Sequence, residues 1–347
     1  MVNELDPRTA YLVANTDKEY FAALNPSEVY LSKLNALKQQ LPKADVIASL
    51  GMAGGEDICT LAQLYGDETK LVGIDISPVA LEIARNTTRT AGVKAEFMES
   101  NATSLDIPNW SIDGFVLSAV MHEVYSHADD GKDAFTKAIG EVYKKISPGG
   151  CIFISDFAAP RLEGRVGILP KTPEAAQFID YFVHSFRKFN DIEQSGENDL
   201  VINTSIDSPS SDDSLQSTPA FVSEVLWHFK HYKKKFQSEL TPNTYPQGWK
   251  EINEAYLPLD PRSSDDIPMP IDNYISAVIA IAKDSETAHD TSLECTSATL
   301  TPQKPATIDM LDEHFTVITD DNDMPPRDLI IECTNWMDVV FKKVFDN

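Results

Sequence analysis

Between Val46 and Phe157 apolar runs and helical patterns alternate at a regular spacing, and this alternation leaves the chain few architectures. VIASL (46–50), KLVGID (70–75), AEFME (95–99), GFVLSAV (114–120) and CIFISDF (151–157) are short, β-branched or aromatic runs. EDICTLAQLYG lies between the first two and has the spacing of a short amphipathic helix. SPVALEIARNTTRTAG follows the second, with Ser77 placed as an N-cap, Pro78 at the first helical position and Gly92 at the end. Phe135, Ala138, Ile139, Val142 and Tyr143 form one apolar helical stripe ahead of the breaker SPGG. Parallel strands need such crossover helices, so the pattern predicts βαβ units. The expected fold class is α/β: a doubly wound, mostly parallel sheet covered by helices on both faces.

The flanks read differently. Residues 1–42 predict an N-terminal helical cap, with Val29, Leu31, Leu34, Leu37 and Leu41 at helical spacing, a start at Pro26-Ser27 and a stop at Pro42. Residues 43–157 then form the core. Residues 158–305 predict a largely helical insertion, with helices over 172–189 and 219–240. Within it, 190–218 is polar, acidic and serine-rich, and 283–306 has few bulky apolar residues. Both are expected to be mobile connections. In 306–347, HFTVITDD (314–321) and DLIIECTNW (328–336) flank NDMPPR. They predict an antiparallel hairpin that completes the core sheet.

Charge narrows the range of partners. The 347 residues carry 54 acidic against 29 basic side chains, a formal net charge of -25. Nucleic-acid affinity rests on neutralising phosphates, so DNA and RNA are disfavoured, and an anionic membrane surface is disfavoured for the same reason. The basic stretch KHYKKKF (230–236) reads as a solvated amphipathic helix face rather than an RNA site. Cys59, Cys151, Cys295 and Cys333 form no paired motif, so neither a zinc site nor a disulfide framework is expected. The early acids of MVNELDPRTAY do not suit a signal peptide, and no apolar run suits a membrane span. A cytoplasmic location is expected.

Open α/β sheets bind ligands at the carboxyl ends of their strands, near the point where strand order reverses. The candidate residues therefore stand just after each run. Gly51-Met52-Ala53-Gly54-Gly55 follows the first, Asp75-Ile76 the second, Asn101-Ala102 the third, and Ala119 with Met121-His122-Glu123 the fourth. Glycines let the backbone approach a ligand, and an acid about 20 residues on can accept from two ribose hydroxyls. Each feature alone has a plainer reading. A glycine turn often only joins strand to helix, Asn101 suits a turn, and Asp156 suits a hydrogen-bonding or capping role as well as the crevice. A nicotinamide cofactor is disfavoured, because Glu56 stands where its fingerprint needs glycine or alanine and a carboxylate there would face the pyrophosphate.

Taken in order, these motifs resemble the class I S-adenosylmethionine-dependent methyltransferases over residues 43–157, and the resemblance resumes at the C-terminal hairpin. The family's first motif, an acid and an apolar residue before glycines at alternate positions, is similar to Ser49-Leu50-Gly51-Met52-Ala53-Gly54-Gly55. Its ribose acid matches Asp75 in VGIDISPVALEIAR, its adenine contact Asn101 in ESNATSLDIP, and its fourth and fifth strands IDGFVLSAVMHEV and SPGGCIFISDF. Two positions depart from it. Ser49 offers a hydroxyl in place of the acid that orients the methionine part of the cofactor. Ala53 adds a methyl group where glycine is usual, which a negative φ tolerates.

The resemblance implies S-adenosyl-L-methionine as cofactor. Ser49, Gly51, Met52, Ala53, Gly55, Asp75, Ile76, Asn101, Ala102 and Ala119 would lie around it, and no metal is implied. His122, just past the fourth strand, is the first candidate for a general base, and Glu123 the second. Tyr125 and Tyr20 are candidates for the acceptor pocket. The implied reaction is in-line methyl transfer to a small molecule or a protein side chain. A non-catalytic binding or scaffold protein of the same fold is the alternative, and an RNA methyltransferase is less favoured.

Overall fold

The computed structural model describes residues 27–162, 164–185, 201–202, 215–235, 257, 270–285, 291–319 and 324–345. Tyr20 and most of the serine-rich stretch 190–218 lie outside them. The chain divides into two compact units. The first comprises 1–156, 275–299 and 337–347, and the second 157–274 and 300–336.

The first unit contains helix α1 (Ser27–Gln40), then β1 (Val46–Leu50), α2 (Glu56–Tyr65), β2 (Lys70–Asp75), α3 (Pro78–Thr90), β3 (Glu96–Glu99), β4 (Ile112–Ser118), α4 (Met121–His127), α5 (Gly131–Lys145) and β5 (Ile146–Phe157). β1 pairs in parallel with β2 and β4, β2 with β3, and β4 with β5. Strand order is β3-β2-β1-β4-β5, then two late strands, β11 (Trp336–Phe345) and β9 (Thr291–Thr301). The order reverses between β1 and β4, so the crevice that such sheets reserve for ligands opens at the carboxyl ends of those two strands.

Burial follows from the sequence pattern. β1 is apolar but for Ser49 because helices cover both faces, and Ile47, Ala48, Ser49 and Leu50 are all buried. α1 sets Leu34, Leu37 and Leu41 into a core with Ile47, Leu61, Val116 and Val340. The stripe expected on α5, Phe135, Ala138, Ile139, Val142 and Tyr143, is entirely buried. Ser77 caps α3 through its side chain, which accepts from Ala80 N at 3.3 Å, and Pro78 opens the helix.

The second unit contains β6 (Val166–Pro170), α6 (Pro173–Ser185), β7 (Val201–Ile202), β8 (Leu215–Ser217), α7 (Pro219–Lys235), α9 (Pro305–His314), β10 (Phe315–Thr319) and α10 (Pro326–Glu332). α8 (Ile271–Asp284) spans the boundary between the units. The insertion was expected to be largely helical. It carries antiparallel strands of its own, in a four-stranded sheet of order β10-β6-β8-β7. Phe178, Phe182, Phe221, Phe229 and Phe315 fill its core. The aromatic residues of α6 and α7 thus pack against each other.

Two expectations need correction. The stretch 283–306 is not a loose connection where it is described. α8 runs to Asp284, and Thr291–Thr301 forms an edge strand of the main sheet. Threonine-rich alternation suits an edge strand that is half exposed, and Thr291 and Leu293 turn inward. The pair of strands at the C-terminal edge of the sheet is therefore β9 and β11, linked by Thr296 Oγ1 donating to Val340 O at 3.2 Å. Residues 315–319 instead join β6 in the second sheet. Residues 326–332 form a helix, because Pro326 at its first turn has no N–H to leave unpaired and Leu329 and Ile330 share its buried face. Cys333, expected in a strand, sits at that helix's C-terminal cap.

Candidate active site

The residues expected after each strand come together at the carboxyl edge of the first unit's sheet. The turn after β1 is held by Gly51 N donating to Ile74 O (2.8 Å) and Gly55 N donating to Met52 O (2.9 Å). Gly51 has φ +68, and a Cβ there would lie 2.3 Å from Val120 Cγ2, so only glycine lets the β1 turn meet the residues past β4. Gly55, at φ +86, lies so close to Ala84 of α3 that a Cβ would sit 2.9 Å from its methyl group. Met52 directs its side chain into the core, so only its backbone belongs to the turn.

Ala53 reverses an expectation. Its φ is 46, left-handed rather than negative. An alanine there costs roughly 1–2 kcal/mol relative to an ordinary conformation. Ala119, at the end of β4, has φ 53. Both strained alanines flank the same crevice, the place where strain of this kind tends to be kept for function.

Asp75 ends β2 and is buried. Its Oδ1 accepts from Ser77 N at 2.9 Å, and its Oδ2 faces Ala53 N at 3.3 Å. The carboxylate thus reaches from β2 to the glycine turn. Ser100 N donates to Asp75 O at 3.1 Å, which brings the β3 turn alongside. In that turn the Asn101 side-chain oxygen accepts from Thr103 N and Oγ1, both at 3.0 Å, so this oxygen shapes its own loop. Ala102 is buried and Ile76 half-buried.

Two carboxylates of α2 complete this side. A Cβ on Gly54 would lie 2.7 Å from Glu56 Oε2, so the Glu56 carboxylate lies back over the turn. Ser49 Oγ donates to Asp57 Oδ2, and both residues are buried. The sequence reading missed Asp57. The signal was an acid three residues before Thr60 and four before Leu61, on the face of α2 where an amphipathic helix carries its apolar residues.

Desolvation raises Asp57 to about 7, against the Ser49 and Ile58 hydrogen bonds that lower it and the Glu56 charge that raises it further. An acid raised in the folded state favours folding below its ordinary value of 3.8 and loses that contribution as pH climbs to about 7. Asp57→Asn should therefore gain stability relative to the parent chain across that window, by a few kcal/mol, with no further gain above it. Chemical denaturation at pH 4, 6 and 8 measures this, and a pH-independent difference would contradict it.

On the β4 side, His122 opens α4 and is 5 % exposed. Its Nδ1 lies 2.7 Å from Asp156 Oδ1, and its backbone N donates to Asp156 Oδ2 at 3.2 Å. Asp156 follows Ser155 near the end of β5, whose carbonyl accepts from Ala119 N at 2.7 Å. The buried carboxylate holds the imidazole through Nδ1. With Nδ1 protonated, Nε2 is the basic atom, the tautomer that a general base needs. Glu123 is half-buried. Tyr125 is buried, and Gly131 accommodates its ring, since a Cβ there would meet Tyr125 Cδ2 at 2.7 Å.

The arrangement suits some ligands and opposes others. Glu56, Asp57 and Asp75 surround the glycine turn with carboxylates, which repel a pyrophosphate and suit a ligand with hydroxyls and positive charge. Among the described residues no group of acids, histidines and cysteines is placed to hold a metal. All four cysteines are free thiols, and burial raises Cys151 to about 11 and Cys333 to about 12. No helix among the described residues is long and apolar enough to cross a membrane.

A parallel sheet with a reversal of strand order, a glycine turn at that point and an acid ending the next strand define a class of nucleoside-cofactor domain. Residues 47–150 match the family described as "Methyltransferase domain". The segment is similar to a demethylmenaquinone methyltransferase of Thermus thermophilus, 27% identical over 107 residues, which are 31% of this chain and 45% of that protein. It is also similar to a ubiquinone/menaquinone biosynthesis C-methyltransferase of Escherichia coli O1:K1, 30% identical over 118 residues, 33% of this chain and 44% of that protein. The chain thus spans less than half the length of these curated relatives. A solved S-adenosylmethionine-dependent methyltransferase of Methanosarcina mazei is 15% identical, with 90% of this chain and 98% of that one covered at a TM-score of 0.43. Residues 47–150 are thus similar to the class I S-adenosylmethionine-dependent methyltransferases, a family whose cofactor is S-adenosylmethionine.

Proposed function

We propose that this protein transfers a methyl group from S-adenosylmethionine to a small-molecule acceptor. The observation that carries the reading is the Asp75 carboxylate, which ends β2 and reaches the glycine turn at the reversal of strand order. When bound, the cofactor supplies an electrophilic methyl group on a sulfonium.

The chain's own residues divide the remaining work. Asp75 offers carboxylate oxygens to the ribose hydroxyls. The backbone around Gly51, Ala53 and Gly55 lets the ligand lie against the turn. Asn101, with its oxygen used in its own loop, presents its amide N–H group, and Ala102 a backbone N–H, toward the adenine. Glu56 and the hydrogen-bonded Ser49–Asp57 pair offer acceptor oxygens beside the turn for the cationic part of the cofactor. On the other side of the crevice, His122 accepts a proton from the acceptor at Nε2, and Asp156 fixes its ring and stabilises the imidazolium that forms. Glu123 and Tyr125 line the acceptor side; Tyr20, the other acceptor-pocket candidate, lies outside the described residues. Holding the nucleophile in line with the methyl carbon, out of water, supplies much of the remaining acceleration.

The relatives are named for quinone biosynthesis, so quinol precursors are the first acceptors to assay. Calorimetric titration with S-adenosylmethionine and with its demethylated product tests the cofactor half of this reading. Saturable binding at micromolar concentrations is expected, and no heat at millimolar cofactor would overturn it. Binding without label transfer from methyl-labelled cofactor to any component of a cell extract would favour the non-catalytic alternative, which the departures at Ser49 and Ala53 motivate.

A further inference from the structure

The Ser49–Asp57 hydrogen bond clasps the glycine turn, since the two residues are eight apart and stand on either side of it. Ser49, near the end of β1, is fully buried, and Asp57, in the first turn of α2, is 5% exposed. The Asp57 carboxylate accepts from Ser49 Oγ at Oδ2 and from Ile58 N at Oδ1, the latter at 2.7 Å. Neither donor carries a charge. A carboxylate buried this deeply is ordinarily held by a cation.

The elements around α2 bring no cation to it among the described residues. On α1, Lys33 donates to Ser155 Oγ at 2.9 Å and lies 3.8 Å from Asp338 Oδ1, while Lys38 donates to Pro42 O and lies over the Tyr65 ring. On α3, Arg85 lies over Phe97, and Glu82 and Arg89 are exposed. On β2, Lys70 pairs with Glu96, and Asp75 faces the amides of Ser77 and Ala53. The titratable neighbours on α2 itself are Glu56 and the Cys59 thiol, and the Glu56 charge opposes a second negative charge. Desolvation, the largest influence on Asp57, raises its carboxyl to about 7.

We propose that Asp57 selects for the positive charge of the cofactor and releases its carboxyl proton as the cofactor binds; this rests on reading the glycine turn as the S-adenosylmethionine site. The carboxyl O–H bond breaks, its electron pair stays on the carboxylate, and the proton passes to water or buffer. The sulfonium and ammonium of the ligand supply the counter-charge that the chain lacks there. The Ser49 hydroxyl, donating to Oδ2, favours the ionised form. A bound cation lowers the Asp57 pKa, so affinity rises with pH between the bound and free values. Below both values the acid keeps its proton throughout, and above both it is ionised throughout.

Calorimetric titration of the full-length chain with S-adenosylmethionine, in buffers of different ionisation enthalpy, counts the protons released. A downward shift of one pH unit releases roughly half a proton per site near about pH 6.5, and lowers the dissociation constant by up to about tenfold from about pH 5.5 to 7.5. Asp57→Asn, which does not ionise, should remove that release and flatten that pH dependence. 5′-Methylthioadenosine, which has the nucleoside without sulfonium or ammonium, should bind without it. Ser49→Ala should move the pH of greatest release upward, because the carboxylate loses a donor. Equal release from parent and Asp57→Asn, or equal release with the two ligands, overturns the proposal. Should Asp57→Asn fail to fold, the comparison of ligands decides alone. Absence of S-adenosylmethionine binding at every pH would overturn the functional reading itself, whereas binding with no Asp57-dependent release overturns this proposal only.

Discussion

His122→Asn is expected to slow methyl transfer by roughly 10²–10⁴-fold while leaving cofactor affinity within about a factor of two. The asparagine amide N–H takes the position of imidazole Nδ1 and can still donate to Asp156 Oδ1, now 2.7 Å from that nitrogen. The buried carboxylate therefore keeps a partner, and the substitution removes the basic Nε2. Alanine would be a poorer choice, since it leaves Asp156, 1% exposed, without its ring partner and invites loss of stability. Single-turnover rates and calorimetric cofactor titration separate the two effects. Equal rates for variant and parent would remove His122 from the chemistry. Asp156→Asn should fall between them, because an amide keeps the shape of the pair but permits the imidazole to adopt the wrong tautomer.

Asp75→Asn should weaken S-adenosylmethionine binding about 100-fold, with a much smaller effect on the rate at saturating cofactor. An ionised carboxylate can accept from two hydroxyls at once, whereas an amide must turn a donor toward one of them. Each charge-assisted hydrogen bond is worth about 1.5–3 kcal/mol, so losing one or both covers this range. The amide oxygen can still accept from Ser77 N, so the start of α3 is preserved. Direct titration, with thermal melting as a control on folding, gives the answer. A dissociation constant within threefold or so of the parent's would mean that the ribose lies elsewhere.

These two residues were legible in the sequence for different reasons. Asp75 follows an apolar run and precedes a serine-proline helix start, so strand, acid and cap are all local features. His122 was visible only as a histidine just past a strand. Its meaning comes from Asp156, 34 residues later, which the sequence left equally suited to a cap or a crevice. Ala53 misled in the other direction. The usual preference of alanine for negative φ is a local rule, and the closure of the turn onto Asp75 overrides it.

The C-terminal region shows where local reading stops. DLIIECTNW has the composition of a strand, yet two prolines start a helix there, and the strand that enters the main sheet begins at Trp336. Its edge neighbour comes from Thr291–Thr301, a stretch too poor in large apolar residues to stand out. An edge strand buries only one face and little of that, so its pattern is weak and its partner makes it a strand.

The order of strands and helices through residues 46–157, the glycine turn and the acid after the second strand were determined by sequence alone, because periodicity, caps and turn residues act over a few positions. Tertiary structure decided the rest. It chose the strands that complete the sheet, returned Asp57 to Ser49, paired His122 with Asp156, and brought Lys33 to Ser155 and Asp338. Lys33 and Ser155 are 122 residues apart in the chain. No short-range pattern encodes such a contact. It exists because the parallel sheet aligns its strand ends and because buried charges are stable only when they find one another.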